Sequence, residues 1–382
     1  MQRREFVGAG LTLGVLGGSA VLTGCESMSH AKQLDPAALR ARPRGVTRPI
    51  RLASNENPLG LSPAARRAVI ETLGEGNRYP RQLRTDLIAA LAAKHGVPAD
   101  HVQLGQGSTE ILKMAVHAAS PDTTIVVAEP TYEDVTTYAN AYGRRIVAVP
   151  LRADWSHDLE RMRAAAATGP ALVFICNPNN PTGTLTSCAE VDAWIAASDE
   201  RTTFLVDEAY FEFAEEVPGY HSAQQWITTR PNVVIVRTFS KIHAMAGMRL
   251  GYALAQPATI RRLGLFACKN NVDQLALAAG LASLPDTDFH RRTVAVNRTG
   301  TTLLTQALDE LGLAFLPSHA NFVMHRITGE LPEYIQRMRD RGINVGRPFP
   351  PLLTYSRVSI GMPEEMEAFV EELRGFRARS WV

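Results

Sequence analysis

The sequence predicts an α/β protein built on a mainly parallel sheet, and three observations predict it. Short β-branched runs recur along the chain, alanine-rich amphipathic stretches such as Glu190 to Ala197 lie between several of them, and the runs are apolar at nearly every position. A strand that is apolar throughout is buried on both faces, which is the condition of a parallel sheet covered by its crossover helices. In order, the runs are Thr124 to Val127, Arg145 to Val149, Ala171 to Ile175, Thr203 to Val206 and Val233 to Val236.

The polar segments at the ends of those strands point to one site. Ala-Glu-Pro-Thr-Tyr132 comes after the first run, Cys-Asn-Pro-Asn-Asn-Pro-Thr-Gly183 after the third, Asp207-Glu-Ala-Tyr210 after the fourth and Arg-Thr-Phe-Ser-Lys241 after the fifth. Ligands of open α/β sheets bind at the C-terminal strand ends, so separate segments converge there. Gly105-Gln-Gly107-Ser108-Thr109 precedes a helical pattern from Glu110 to Ala119. Its amides are therefore expected at a helix N-terminus, where an anion is favoured.

Composition bounds the rest. The chain has 382 residues, 45% apolar and 20% charged, enough for two or three domains with cores of their own. Forty Lys plus Arg against 38 Asp plus Glu give a net charge of +2, with no run of five like charges, so nucleic acid is not an expected partner. Cys176, Cys188 and Cys268 form no CxxC and sit with no His cluster at ligand spacing. They read as buried small residues, and no metal is expected.

The first 25 residues read as an export signal. Arg3-Arg4 precedes a soft apolar stretch with six glycines between Phe6 and Gly24, and Leu22-Thr-Gly-Cys25 has the form of a lipoprotein box. These features predict twin-arginine export to a periplasmic or membrane-attached lipoprotein, held through lipid on Cys25. A buried N-terminal helix, a plain membrane anchor and a cytoplasmic enzyme are the alternatives. Residues 26–48, Arg-rich with Pro36 and Pro43, read as a tether and linker.

Seven motifs in order carry a family resemblance: Asn55-Glu-Asn-Pro58, Arg78-Tyr-Pro80, Gly105 to Glu110, Asn180-Pro-Thr-Gly183, Asp207-Glu-Ala-Tyr210, Ser240-Lys241 with Ala246-Gly-Met-Arg249, and Arg357-Val-Ser-Ile-Gly361. From about residue 50 to 361 the chain resembles the fold-type I pyridoxal-phosphate aminotransferases of class I/II, and within them the histidinol-phosphate aminotransferase branch. The resemblance implies a large cofactor-binding domain at 76–265 with a mainly parallel sheet, and a smaller α+β domain at 266–382 to which an arm at 49–75 contributes. It implies transamination between an amino acid, or a histidinol-phosphate-like amine, and a 2-oxo acid such as 2-oxoglutarate.

The resemblance also assigns roles residue by residue. Lys241 binds the cofactor aldehyde and moves protons, Asp207 pairs with the pyridine nitrogen, and Asn180 and Tyr210 address the ring oxygen. Tyr132 stacks on the ring, although a core aromatic is the other reading. Gly107, Ser108, Thr109, Thr238, Ser240 and Arg249 hold the phosphate, completed by Tyr79 from the second subunit of a homodimer with shared sites. Arg357 clamps the substrate carboxylate, with Asn57 assisting.

One departure bears on substrate. Related sequences place an arginine directly after a Gly-Ile-x-Val segment to read a distal phosphate, whereas Gly342-Ile-Asn-Val-Gly346-Arg347 has glycine there and arginine one place later. Two readings stay open: Arg347 takes the role, or the substrate carries no phosphate. A pyridoxal-phosphate decarboxylase or lyase, and a noncatalytic exported binding lipoprotein, are the alternative functions.

Overall fold

A computed structural model describes residues 49–382. The expectations for Arg3, Arg4, Cys25 and the tether lie outside the described residues. The chain begins with β1 (Ile50–Leu52), α1 (Pro63–Thr72), α2 (Arg81–His95), β2 (Val102–Gln106) and α3 (Gly107–Ala118). It continues through β3 (Thr124–Glu129), α4 (Asp134–Ala141), β4 (Ile146–Pro150), α5 (Leu159–Ala166), β5 (Ala171–Cys176), α6 (Cys188–Ala197), β6 (Thr202–Asp207) and the single turn α7 (Phe211–Ala214). Then come β7 (Val233–Thr238), β8 (Leu250–Leu254), α8 (Pro257–Gly264), α9 (Gln274–Ser283) and α10 (Thr287–Glu310). The C-terminal part holds β9 (Phe322–Arg326), α11 (Leu331–Asp340), β10 (Ile343–Val345), β11 (Tyr355–Ser359) and α12 (Pro363–Ala378).

Among the described residues the main sheet has seven strands in the order β2-β8-β7-β6-β5-β3-β4. The strands from β7 to β4 are parallel, while β8 runs antiparallel to both of its neighbours. Successive residues of the central strands enter two separate apolar cores. Val173, Ile175, Phe204, Val206, Val233 and Ile235 lie on one face, and Leu172, Phe174, Leu205, Val234 and Val236 on the other. This two-sided burial is why these strands read as unbroken apolar runs.

The sequence passes over β2 and β8, and their composition explains it. Gln103, Gly105 and Gln106 interrupt the apolar pattern of β2, and Gly251 and Ala253 give β8 small residues in place of β-branched ones. Gly251 is required by packing: a Cβ there would run into the backbone of Gly107 and Ser108 at the start of α3. The cysteine expectation also needs correcting, because Cys176 and Cys188 are buried but Cys268 is exposed.

A smaller lobe collects both ends of the described chain. β1 pairs in parallel with β10 and β11 pairs antiparallel with β9. Ile50 and Leu52 share a core with Leu304 of α10, Val358 of β11 and Phe369 of α12. α10, 24 residues and about 36 Å long, leads from the main sheet into this lobe. Its first turn is capped by Asp286, whose carboxylate accepts from Phe289 N at 3.2 Å.

The exit of β6 sends adjacent acids to opposite faces. Asp207 belongs to the site described below, whereas Glu208 accepts from Arg237 Nη2 at 2.6 Å and from its Nε at 2.8 Å. Both side chains are buried, and Ser222 Oγ and Ala223 N also donate to Glu208. A buried guanidinium without its carboxylate is strongly unfavourable. Glu208→Ala should therefore destabilise the fold by about 3 kcal/mol in urea titration, the low end of the usual cost because Glu212 remains 3.6 Å from Arg237. Replacing both partners with apolar residues should recover most of that loss, and a single variant as stable as the native chain would show the pair to be dispensable.

Candidate active site

The C-terminal ends of β3, β5, β6 and β7 open into a cavity of about 650 Å³, closed on its far side by residues 53–56 and by the segments around β10 and β11. Asp207 reaches it from the last position of β6 and is 2% exposed. Ala209 N donates to its Oδ1 at 3.0 Å. Burial lifts its carboxyl to about 7, since a carboxylate away from water is disfavoured.

Lys241 follows β7 by three residues, and its Nζ donates to the carbonyl oxygen of Asn55 at 3.0 Å. Burial, reinforced by the positive charge of Arg357, draws its amine down to about 8. Tyr210 lies alongside, its ring centre 5.5 Å from Lys241 Nζ. Burial raises its phenol above the ordinary value. Asn180, from the loop after β5, donates through Nδ2 to the Tyr210 hydroxyl oxygen at 3.4 Å. Tyr132 lines the wall after β3, and burial followed by the charge of Asp134 raises its phenol.

Arg357 projects from β11 and is 7% exposed. Its Nη1 donates to Asn180 Oδ1 at 2.7 Å and its Nη2 to Ala53 O at 3.0 Å, while its Nε has no partner. Its guanidinium lies 4.3 Å from the Phe349 ring and 5.3 Å from that of Phe322. Burial lowers its pKa to about 10, so it stays charged at neutral pH. A buried fork with donor capacity left over suits a carboxylate or phosphate.

The opposite requirement, a place for a dianion, is met where β2 turns into α3. Gly107 has φ +72°, and a Cβ on it would overlap the guanidinium of Arg249. Ser108 and Thr109, at the start of α3, line the cavity with Thr238, Ser240 and Arg249. Arg249 Nη1 donates to Ser240 Oγ at 3.4 Å, and Thr238 Oγ1 donates to Ser240 Oγ at 2.9 Å. Helix-end amides, hydroxyls and a guanidinium around a glycine form a phosphate cradle.

Three expected residues sit differently. Asn57 is not brought into the cavity: its Nδ2 donates to the carbonyls of Lys241 and Ile242 at 3.1 and 3.3 Å and to Thr293 Oγ1 at 3.2 Å. It clasps the lysine segment from behind, and the asparagine of that motif that lines the cavity is Asn55, two residues earlier. Tyr79 lies outside the lining and is 75% exposed. Arg347 does line the cavity, at its rim, where Nη2 meets Glu133 Oε1 at 2.5 Å with both side chains more than half exposed. The glycine before it is forced: Gly346 N donates to Arg357 O at 2.8 Å, and a Cβ there would meet that same oxygen at 2.8 Å.

Sequence reasoning missed Asn55, Ser359 and Asn321. Asn55 has a positive φ of 53° and is one of two asparagines in the same short motif, so its backbone conformation, invisible in the sequence, decides which one faces inward. Among the described residues no group of three or more His, Cys, Asp or Glu could hold a metal ion. No helix among them is long and apolar enough to cross a membrane.

Together these groups fit pyridoxal phosphate: a cradle for its phosphate, a buried carboxylate for its pyridine nitrogen, phenol and amide groups for its ring oxygen, and an amine for its aldehyde. Comparison with known proteins agrees. The family described as "Aminotransferase class I and II" matches residues 47–373. Histidinol-phosphate aminotransferase 1 of Cupriavidus pinatubonensis is 38% identical over 330 residues, covering 85% of this chain and 87% of its own length. Histidinol-phosphate aminotransferase of Symbiobacterium thermophilum is 38% identical over 359 residues, covering 93% and 98%. The crystal structure of histidinol-phosphate aminotransferase from Sinorhizobium meliloti in complex with pyridoxal-5'-phosphate superposes with a TM-score of 0.81 at 27% identity, covering 92% of this chain and all of that one. These relatives favour transamination over a lyase reaction. The chain belongs to the class I and II aminotransferases, and is a pyridoxal-phosphate enzyme that transfers an amino group between small amino and keto substrates.

Proposed function

We propose that this aminotransferase takes its amino group from a small amine carrying a distal anion, of the histidinol-phosphate kind, and delivers it to a 2-oxo acid such as 2-oxoglutarate. One observation carries the substrate side of this reading. Beyond Arg249, three further arginines line the cavity: Arg357 from β11, Arg347 from the segment after β10 and Arg339 from α11. The names of the relatives point the same way.

Bound pyridoxal phosphate supplies an aldehyde that accepts the amino group and a protonated ring that draws electrons from the donor's α-carbon. Lys241 Nζ takes the proton from that carbon and returns it on the other side of the exchange. With its pKa near 8, its neutral form is accessible close to neutral pH. Asp207 holds the proton of the pyridine nitrogen, because a cation against a buried carboxylate is favoured over two neutral groups. Tyr210 and Asn180 orient the ring through its oxygen, and Tyr132 covers a ring face. Gly107, Ser108, Thr109, Thr238, Ser240 and Arg249 fix the phosphate. Arg357 receives the carboxylate of the keto acid, and Arg347 leaves Glu133 to meet the distal anion.

The mature enzyme in this reading is a homodimer, supported by the exposure of Tyr79 outside a cradle that the family completes with a tyrosine. It is exported by the twin-arginine route and held by lipid on Cys25, a reading supported by Arg3-Arg4 and the Leu-Thr-Gly-Cys sequence. A holoenzyme loaded in the cytosol needs a route that carries folded protein.

Holoenzyme mixed with single amines should lose its bound-aldehyde absorbance with phosphorylated amino alcohols faster than with their unphosphorylated forms, and Lys241→Ala should be inert. Arg347→Ala should raise KM for the phosphorylated donor about tenfold, the worth of one exposed charged contact, with little change in kcat. An unchanged KM would remove Arg347 from substrate recognition.

Mixing Tyr79→Phe with Lys241→Ala subunits should restore one competent site per mixed dimer, because both defects then fall in the same site. Mixed dimers no more active than either parent would exclude shared sites. For location, Arg3→Lys with Arg4→Lys should retain active enzyme in the cytoplasm, and Cys25→Ala should release exported enzyme from the membrane fraction. Finding the native protein soluble in the cytoplasm with residues 1–24 attached would overturn export and leave the chemistry standing.

A further inference from the structure

Asn55 meets both working side chains of the site at once. It is buried on the loop after β1, in a left-handed conformation that asparagine tolerates better than most residues. That conformation aims its carbonyl oxygen at Lys241 Nζ, 3.0 Å away, and its side-chain amide at Tyr210. The backbone is pinned by Asn55 N donating to Ser359 Oγ at 2.7 Å and by Asn321 Nδ2 donating to Asn55 O at 3.0 Å. The Ser359 hydroxyl in turn donates to Asn55 Oδ1 at 3.0 Å, which leaves the Nδ2 end facing the Tyr210 hydroxyl oxygen at 3.0 Å.

A phenol oxygen accepts two hydrogen bonds and donates one. Asn55 Nδ2 fills one accepting direction of Tyr210, and Asn180 Nδ2, whose sense is set by Arg357 on its Oδ1, fills the other. The hydroxyl hydrogen is left with the open cavity. We propose that Asn55 is a positioning residue that holds Tyr210 as a hydrogen-bond donor, its hydrogen turned into the cavity for the ring oxygen of the cofactor. A tyrosine free to rotate would present lone pairs to an anionic oxygen for part of the time. One locked as a donor stabilises that oxygen's deprotonated form and lowers the pH at which the bound cofactor ionises.

The proposal is tested by the pH midpoint of the holoenzyme's visible absorbance, measured in a double-mutant cycle of Asn55 and Tyr210. Asn55→Ala should raise the midpoint by about half a unit or more, the effect of one hydrogen bond. In a Tyr210→Phe background, with no hydroxyl to orient, the same change should move it by less than about 0.2 unit. Asn55→Asp keeps the shape and tolerates the left-handed backbone but offers only acceptors, so its effect should depend on Tyr210 more strongly still. Equal shifts in the two backgrounds, or no shift with Tyr210 present, overturn the proposal. Should alanine at this backbone conformation unfold the loop, Ser359→Ala frees Asn55 Oδ1 while keeping asparagine at position 55 and leaving Asn321 to hold the Asn55 carbonyl. It should give a smaller rise of the same sign only when Tyr210 is present, and an equal rise in both backgrounds would again refute the role.

Discussion

The hydrogen bond from Arg357 Nη1 to Asn180 Oδ1, 2.7 Å long, is the interaction on which the arrangement of the site depends. A guanidinium donates and never accepts, so it dictates which end of the Asn180 amide faces it. The other end then has to address Tyr210. Through its second nitrogen the same side chain takes the carbonyl of Ala53, which places the loop bearing Asn55 over Lys241. One buried cation thus ties together a loop after β5, a loop after β1 and a strand of the smaller lobe.

That cation also sets the electrostatics. Desolvation pushes the buried Asp207, Lys241, Tyr210 and Arg357 toward their neutral forms, and the consequences differ with the sign of the charge. Lys241 loses basicity through burial and through Arg357, while Asp207 gains a proton affinity unusual for an acid. Neither is paired with the other by a hydrogen bond. Both are left to respond to what enters, a carboxylate for the protonated ring nitrogen and an amine for the aldehyde. The adjacent Glu208, by contrast, has a buried partner of its own in Arg237.

The rim obeys a different physics from the floor. Gly346 has no room for a side chain because the backbone of β11 passes against it, so the arginine at the rim is the next residue, Arg347. Arg347 is more than half exposed and engaged with Glu133, a pair held weakly in water and therefore easily exchanged for another anion. The floor is fixed by buried hydrogen bonds, and the rim is adjustable because solvent screens it.

Taken alone, the sequence determined the class of the sheet, since apolar runs such as Ala171 to Ile175 and Val233 to Val236 are what strands buried on both faces require. It also determined the membership of most of the site, because Asp207, Asn180, Tyr210 and Lys241 each lie at or just beyond a strand whose end is fixed by that sheet. It did not reveal β2 and β8, where Gly105 and Gly251 answer to a close approach of α3 and not to a local preference for strand. Nor could it separate Asn55 from Asn57. Both stand in one four-residue motif with the same side chain, and only the left-handed turn at Asn55, held by Ser359 and Asn321 from more than 260 positions away in the chain, sends one amide to Tyr210 and the other behind Lys241. That choice belongs to the tertiary structure because the groups that enforce it are distant in sequence and meet only when the smaller lobe closes on the loop.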